Sequence, residues 1–86
     1  MVTMVGHMVP PGSYPVLVAE VVQEALTATG ITLHKLSVDT GIPRMTLARR
    51  LKKISSFTTA ELALIAPHIG MTVTEISRAA EQRVAA

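Results

Sequence analysis

The chain has 86 residues, 49% of them hydrophobic, no cysteine and a formal net charge of +2. That length makes one domain with one small core, and the lack of cysteine excludes a disulfide frame and thiolate metal sites and fits a reducing compartment. Tyr14 and Phe57 are the only aromatic residues, so the core must be aliphatic, which suits packed helices better than a sandwich, and no apolar run nears the ~18 residues of a membrane span.

The charge is placed unevenly. Six of the eight Lys and Arg lie between Lys35 and Lys53, where Asp39 is the only acid. Elsewhere Arg78 and Arg83 are set against Glu20, Glu24, Glu61, Glu75 and Glu81. A near-neutral body with one basic stripe is the footprint of a nucleic-acid binder. A solvated helix face accounts for the same charges equally well.

Residues 1–15, MVTMVGHMVPPGSYP, show no period and hold three Pro and two Gly, and they read as a flexible lead-in. Met1, Met4 and Met8 each offer a translation start. The lead-in contains no Lys or Arg, so neither a signal peptide nor a phosphate-gripping arm is expected. The folded domain is expected over residues 16–86.

Val16–Thr29 reads as the first helix, with Val18, Val22, Ala25 and Leu26 at the spacing of one buried face and Gly30 as its stop. Val16, Leu17 and Val21 widen that surface, as extra core or as a partner-binding face. Thr32 suits the cap of a second helix, Leu33–Thr40, with Leu36 and the small Ser37 turned inward. Gly41 permits the positive φ that ends it, Ile42 plugs the turn into the core, and Pro43 suits the first position of a third helix.

That third helix, Arg44–Lys53, sorts into two faces at 100° per residue. Leu47, Leu51 and Ile54 fall on the inner side. Met45, Arg49, Lys52 and Lys53 fall opposite, with Arg44 and Arg50 on the flanks. Phe57 anchors the link that follows. Thr58–Glu61 is a capping-box pattern opening a fourth helix with Leu62, Ile65 and Ile69 inward and Gly70 at its end. Pro67 removes an interior hydrogen bond, so a kink or an early end near Ala66 is expected. Thr72–Glu75 is a second capping box. It opens a fifth helix with Val73, Ile76, Ala79 or Ala80, and Val84 inward, and a tail that frays beyond Arg83.

The order and spacing of Leu36, Ser37, Gly41-Ile42, Leu47, Phe57-Thr58-x-x-Glu61-Leu62 and Ile69-Gly70-Met71-x-Val73-x-Glu75-Ile76 resemble the Cro/C1-type helix-turn-helix domain of phage repressors and their bacterial relatives. The run Thr46-Leu47-Ala48-Arg49-Arg50-Leu51 resembles a version common in actinobacteria and their phages. With the first helix, the resemblance covers about 70 of the 86 residues. It implies an all-α, lambda-repressor-like bundle of five short helices, with the helix-turn-helix proper at 33–53. By position it implies that Arg44, Met45, Thr46 and Arg49 face DNA base edges. It also implies that Thr32, Leu33 through its backbone N–H, and His34 meet phosphate. Two positions depart from the pattern: Arg50, where the family is usually apolar, and Pro67.

The chemistry of these residues fits that role. Arg44 and Arg49 suit the two acceptors on the major-groove edge of guanine, and Met45 and Thr46 suit a thymine methyl group. Arg50, Lys52 and Lys53 suit the phosphate backbone, whose neutralisation gives affinity without sequence information. A solvated role is the plainer reading of Lys35 and His34. His7, His34 and His68 are too scattered for a metal site. On one helix His34 and Asp39 stand about 140° apart, and no phosphate loop or carboxylate pair is present, so neither catalysis nor a cofactor is expected.

The resemblance thus implies a sequence-specific regulator of transcription in the bacterial cytoplasm, a phage or prophage repressor or Cro-like protein that occupies an operator in double-stranded DNA. At this length no separate ligand-sensing or cleavage domain is expected, and no membrane or small-molecule partner is expected. A homodimer through the fifth or first helix is one arrangement, a monomer the other. Two other functions remain open: an antitoxin-like or accessory interaction module with secondary DNA binding, and a nucleoid-type binder with little sequence preference.

Overall fold

The first helix, α1, spans Tyr14–Thr29 in a computed structural model that describes residues 12–85 and the side chains of residues 12–84. Of the lead-in expected over residues 1–15, residues 1–11 lie outside the described residues, while Tyr14 and Pro15 belong to α1. α1 begins two residues earlier than its apolar period suggested. Pro15 sits in its first turn, where a missing N–H costs nothing and a fixed φ fits. Ser13 precedes it in extended conformation, and its carbonyl accepts from Leu17 N at 3.0 Å.

The other elements follow in close succession: α2 at Leu33–Thr40, α3 at Arg44–Leu51, α4 at Thr59–Ile65, a 3-10 turn at Ala66–Ile69, and α5 at Val73–Ala85. No strand occurs among the described residues, so the chain is an all-α bundle. Gly30, at φ 77°, ends α1 and donates its N–H to the Leu26 carbonyl. The chain then turns by 106° into α2.

Each helix gives one large, fully buried side chain to the centre: Val22 from α1, Leu36 from α2, Leu47 from α3, Ile65 from α4 and Ile76 from α5. Burying each is worth roughly 1.5–3 kcal/mol, and α1 adds the most to the core around them. Val16, Val18, Ala19 and Val21 are buried as well, and Leu17 packs against the same core. The wide apolar surface of α1 is therefore interior. Among the described residues no polar or charged residue is buried.

The two capping boxes form as their sequences require. Thr58 Oγ1 accepts from Glu61 N at 3.0 Å while Glu61 Oε1 accepts from Thr58 N at 2.9 Å. Thr72 and Glu75 exchange the same pair at 2.8 and 3.0 Å. α4 stops at Ile65, and Pro67 lies in the tighter 3-10 turn that follows, the early end its missing N–H calls for. Ile69 stays buried, and Gly70 closes the turn at φ 70°.

α5 differs from expectation at its end. Ile76 and Ala80 are buried, but Val84 is 57% exposed. The seam against α1 at that level is made by Arg83 instead, whose guanidinium meets Glu24 at 2.9 Å and Glu20 at 3.6 Å. The helix continues to Ala85 rather than ending at Arg83.

Candidate nucleic-acid interface

α2 and α3 are eight residues each, joined by three residues that are fastened from both sides. Gly41, at φ 78°, donates its N–H to the Ser37 carbonyl at 2.9 Å. Thr40 Oγ1 donates to the Leu36 carbonyl at 2.7 Å and accepts from Ile42 N at 3.2 Å. Ser37 Oγ donates to the Ile42 carbonyl at 2.6 Å. Ile42 is thereby held with its side chain in the core, 6% exposed. Ser37 is more than a small residue that lets the helices approach; its hydroxyl locks the turn. Pro43 precedes α3 as its cap rather than occupying its first position. Its fixed φ fits either place, and its carbonyl accepts from Leu47 N at 3.0 Å.

The start of α2 carries the residues expected at phosphate. Thr32 Oγ1 accepts from Lys35 N at 3.1 Å. The N–H groups of Leu33 and His34 have no acceptor within the helix, and the first turn holds no acid, so a partial positive charge faces outward there. His34 is exposed and Leu33 half-buried.

α3 divides into faces as its sequence predicts. Leu47 is buried and Leu51 half-buried. Arg44, Met45, Arg49 and Lys52 are exposed, and Thr46 and Ala48 are half-buried beside them. Met45 is 76% exposed. The helix ends at Leu51, two residues short of the expected Lys53. Lys53 adopts φ 65°, and the N–H groups of Lys53 and Ile54 turn back to the carbonyls of Arg50 and Arg49, both at 3.1 Å. Glycine usually fills that left-handed closing position. Ile54, expected on the inner face, is half-buried just past the helix.

Not every cation of the basic stripe stands alone. Lys35 pairs with Asp39 at 3.0 Å, and His68 Nδ1 lies 4.0 Å from the same carboxylate. Arg50 turns its guanidinium to α4, with Nε on Glu61 Oε1 at 2.9 Å, Nη2 on Oε2 at 3.0 Å and Nη1 on Ser55 Oγ. The Arg50 hydrogen bonds hold the Glu61 carboxyl below its ordinary range and push Arg50 higher. Arg44, Arg49, Lys52 and Lys53 have no acidic partner among the described residues.

Sequence reasoning missed Glu61 and Ser55 as the anchors of Arg50. The available signal was an arginine where the resemblance calls for an apolar residue, with a capping-box acid eleven positions on.

Other site types find little material. An open groove of about 270 Å³ lies where the end of α1 meets Leu33 and Leu51, and no titratable side chain lines it. Among the described residues no group of three His, Asp or Glu is placed to hold a metal, and no single helix is long and apolar enough to cross a membrane. No family model, no curated protein and no solved structure matches the chain.

Proposed function

We propose that this chain is a sequence-specific regulator of transcription of the Cro/C1 type, a phage or prophage repressor or Cro-like protein of the bacterial cytoplasm. The observation that carries the reading is the outer face of α3. It presents Arg44, Met45, Arg49 and Lys52 together and exposed, opposite a buried Leu47. A helix of that width enters the major groove. A face with no acid of its own is drawn to phosphate.

In this reading Arg44 and Arg49 donate to base edges, with Met45 and Thr46 beside them. Lys52 and Lys53 neutralise phosphates at the helix end. Thr32, Leu33 N–H and His34 meet the backbone at the start of α2, which fixes the depth and angle of α3. Arg50 acts from behind, holding α3 to α4 through Glu61. Occupancy of the operator excludes polymerase, and regulation follows protein concentration or a partner. A domain of this size covers one half-site, so a two-fold dimer on a palindromic site is the arrangement expected.

Selection of bound duplexes from a random pool, followed by gel shift of selected against unselected DNA, tests the reading. Preference for a recovered motif supports it. Equal affinity for all sequences replaces it with a nucleoid-type binder, and no binding even at low salt removes DNA from the function. The latter outcome favours an accessory or antitoxin-like interaction module, for which the exposed Val38, Leu64 and Val84, at 65%, 49% and 57%, offer apolar contact points.

A further inference from the structure

Met45 is the most exposed of the large apolar side chains among the described residues, at 76%. Singly exposed apolar residues are ordinary on protein surfaces, so the exposure alone says little. The surroundings say more. Met45 lies next to Arg44 and one turn from Arg49, both exposed and neither paired with an acid among the described residues. Ala48, at the adjacent i+3 position, is small, apolar and half-buried. The face is thus an apolar patch between two guanidinium groups that are open to a partner.

In the major groove the apolar feature of a base edge is the 5-methyl group of thymine, and the strongest match to a guanidinium is guanine. A 5-methylcytosine carries the same methyl group at the same ring position. Four residues of helix span about 6 Å, and stacked bases are about 3.4 Å apart. The methyl group and the guanine read by one turn of α3 therefore lie within about two base pairs of each other.

We propose that Met45 reads a pyrimidine 5-methyl group within about two base pairs of a guanine held by Arg49, so that affinity depends on the methylation of that pyrimidine, thymine or 5-methylcytosine. This rests on the DNA-binding reading above and adds a chemical mark to it. Thr46, half-buried, shapes the edge of the patch, and Met45 supplies the contact.

The test uses the full chain and duplexes recovered from the random pool. Each dT is replaced singly by dU, which removes only the methyl group. At each such position dC is also compared with 5-methyl-dC, which separates the two sources of the mark. At one position dU should weaken binding roughly fourfold, and 5-methyl-dC should bind roughly fourfold tighter than dC, the worth of one buried methyl. Met45→Ala should erase both differences while keeping the guanine requirement, and Met45→Leu should retain them. An unchanged melting temperature shows that these exposed-site variants are folded.

Wild-type protein indifferent to every methyl group overturns the inference while leaving DNA binding intact. So does a methyl dependence that survives in Met45→Ala. If no duplex is bound at all, the DNA reading fails and this inference fails with it.

Discussion

Arg50 and Glu61 clamp α3 to α4 through two parallel hydrogen bonds, at 2.9 and 3.0 Å, with both side chains largely shielded at 20% and 15% exposure. Glu61 Oε1 also accepts from Thr58 N, so one carboxylate closes the start of α4 and fixes the end of α3. Arg50→Ala leaves that shielded carboxylate without its main partner. The expected loss is about 1–3 kcal/mol, between the worth of a surface pair and that of a buried one, read from urea unfolding. In DNA binding the same variant should leave the salt dependence unchanged. A flattened salt slope with unaltered stability would return Arg50 to the phosphate backbone.

Acid should weaken the protein partly through this clamp. The Arg50 hydrogen bonds, more than the Thr58 N–H, hold the Glu61 carboxyl below its ordinary value of 4.5, against the opposing effect of partial burial. The unfolded chain takes up this proton first as pH falls. The contribution is therefore full above about 4.5 and gone once the pH has passed the lower folded value. Glu24, lowered mainly by its hydrogen bond to Arg83, acts in the same direction. The urea midpoint should drop as pH falls from about 5 towards about 2, and Glu61→Gln should show a shallower drop from a lower starting point. An identical slope in the variant would place the acid sensitivity elsewhere.

The features legible in the sequence are those set within one turn. Thr32, Thr58 and Thr72 cap because an oxygen three residues before an open N–H can reach it. Gly41 and Gly70 end helices through their own φ, and Pro67 ends α4 through its own missing N–H. The inner and outer faces of α3 follow from its period alone. What escaped is what depends on a neighbour brought in by folding. Arg50 meets Glu61 eleven residues away, and Arg83 meets Glu24 fifty-nine away. Val84 has the right spacing for the core but stays exposed, because Arg83 makes the seam to α1 at that level. Ser37 shows a second kind of loss: its size was readable, but its bond to the Ile42 carbonyl exists only once the turn has closed.

Ser37→Ala isolates that bond. The change keeps the small volume that α3 needs and removes the donor to Ile42 at 2.6 Å. A half-buried carbonyl left unpaired costs about 1–2 kcal/mol. Because the bond spans the link between α2 and α3, DNA affinity should fall more than the loss of stability explains when both are measured well below the melting temperature. Equal affinity for the two proteins would show that the turn holds its shape without the hydroxyl.

Lys53 carries a left-handed backbone at φ 65°. That conformation costs a non-glycine residue about 1–3 kcal/mol, offset by the entropy glycine loses on folding. Lys53→Gly should therefore raise stability by roughly 0.5–1 kcal/mol, a rise in Tm of a few degrees for a domain of this size. It should at the same time weaken all duplexes alike and flatten their salt dependence by the loss of one phosphate contact. Higher stability with unchanged DNA affinity would mean that the lysine is retained for some other reason than phosphate.

Arg49 and Lys52 are both exposed on the outer side of α3, yet the proposed roles separate them. Arg49 lies one turn from Met45, among the proposed base readers. Lys52 stands at the C-cap of α3, where the proposed role is contact with phosphate. Arg49→Ala should weaken the recovered operator by about 1–3 kcal/mol and relax the preference at a single guanine, because a forked donor discriminates that base. Lys52→Ala should weaken operator and random DNA by the same factor, leave every base preference in place, and lower the salt slope by about one unit. The comparison needs binding curves for both variants at several salt concentrations and a repeat of the random-pool selection. If the two variants lose affinity in the same pattern, α3 binds as a uniform basic rod. The division between reading and anchoring residues then fails, though DNA binding itself does not.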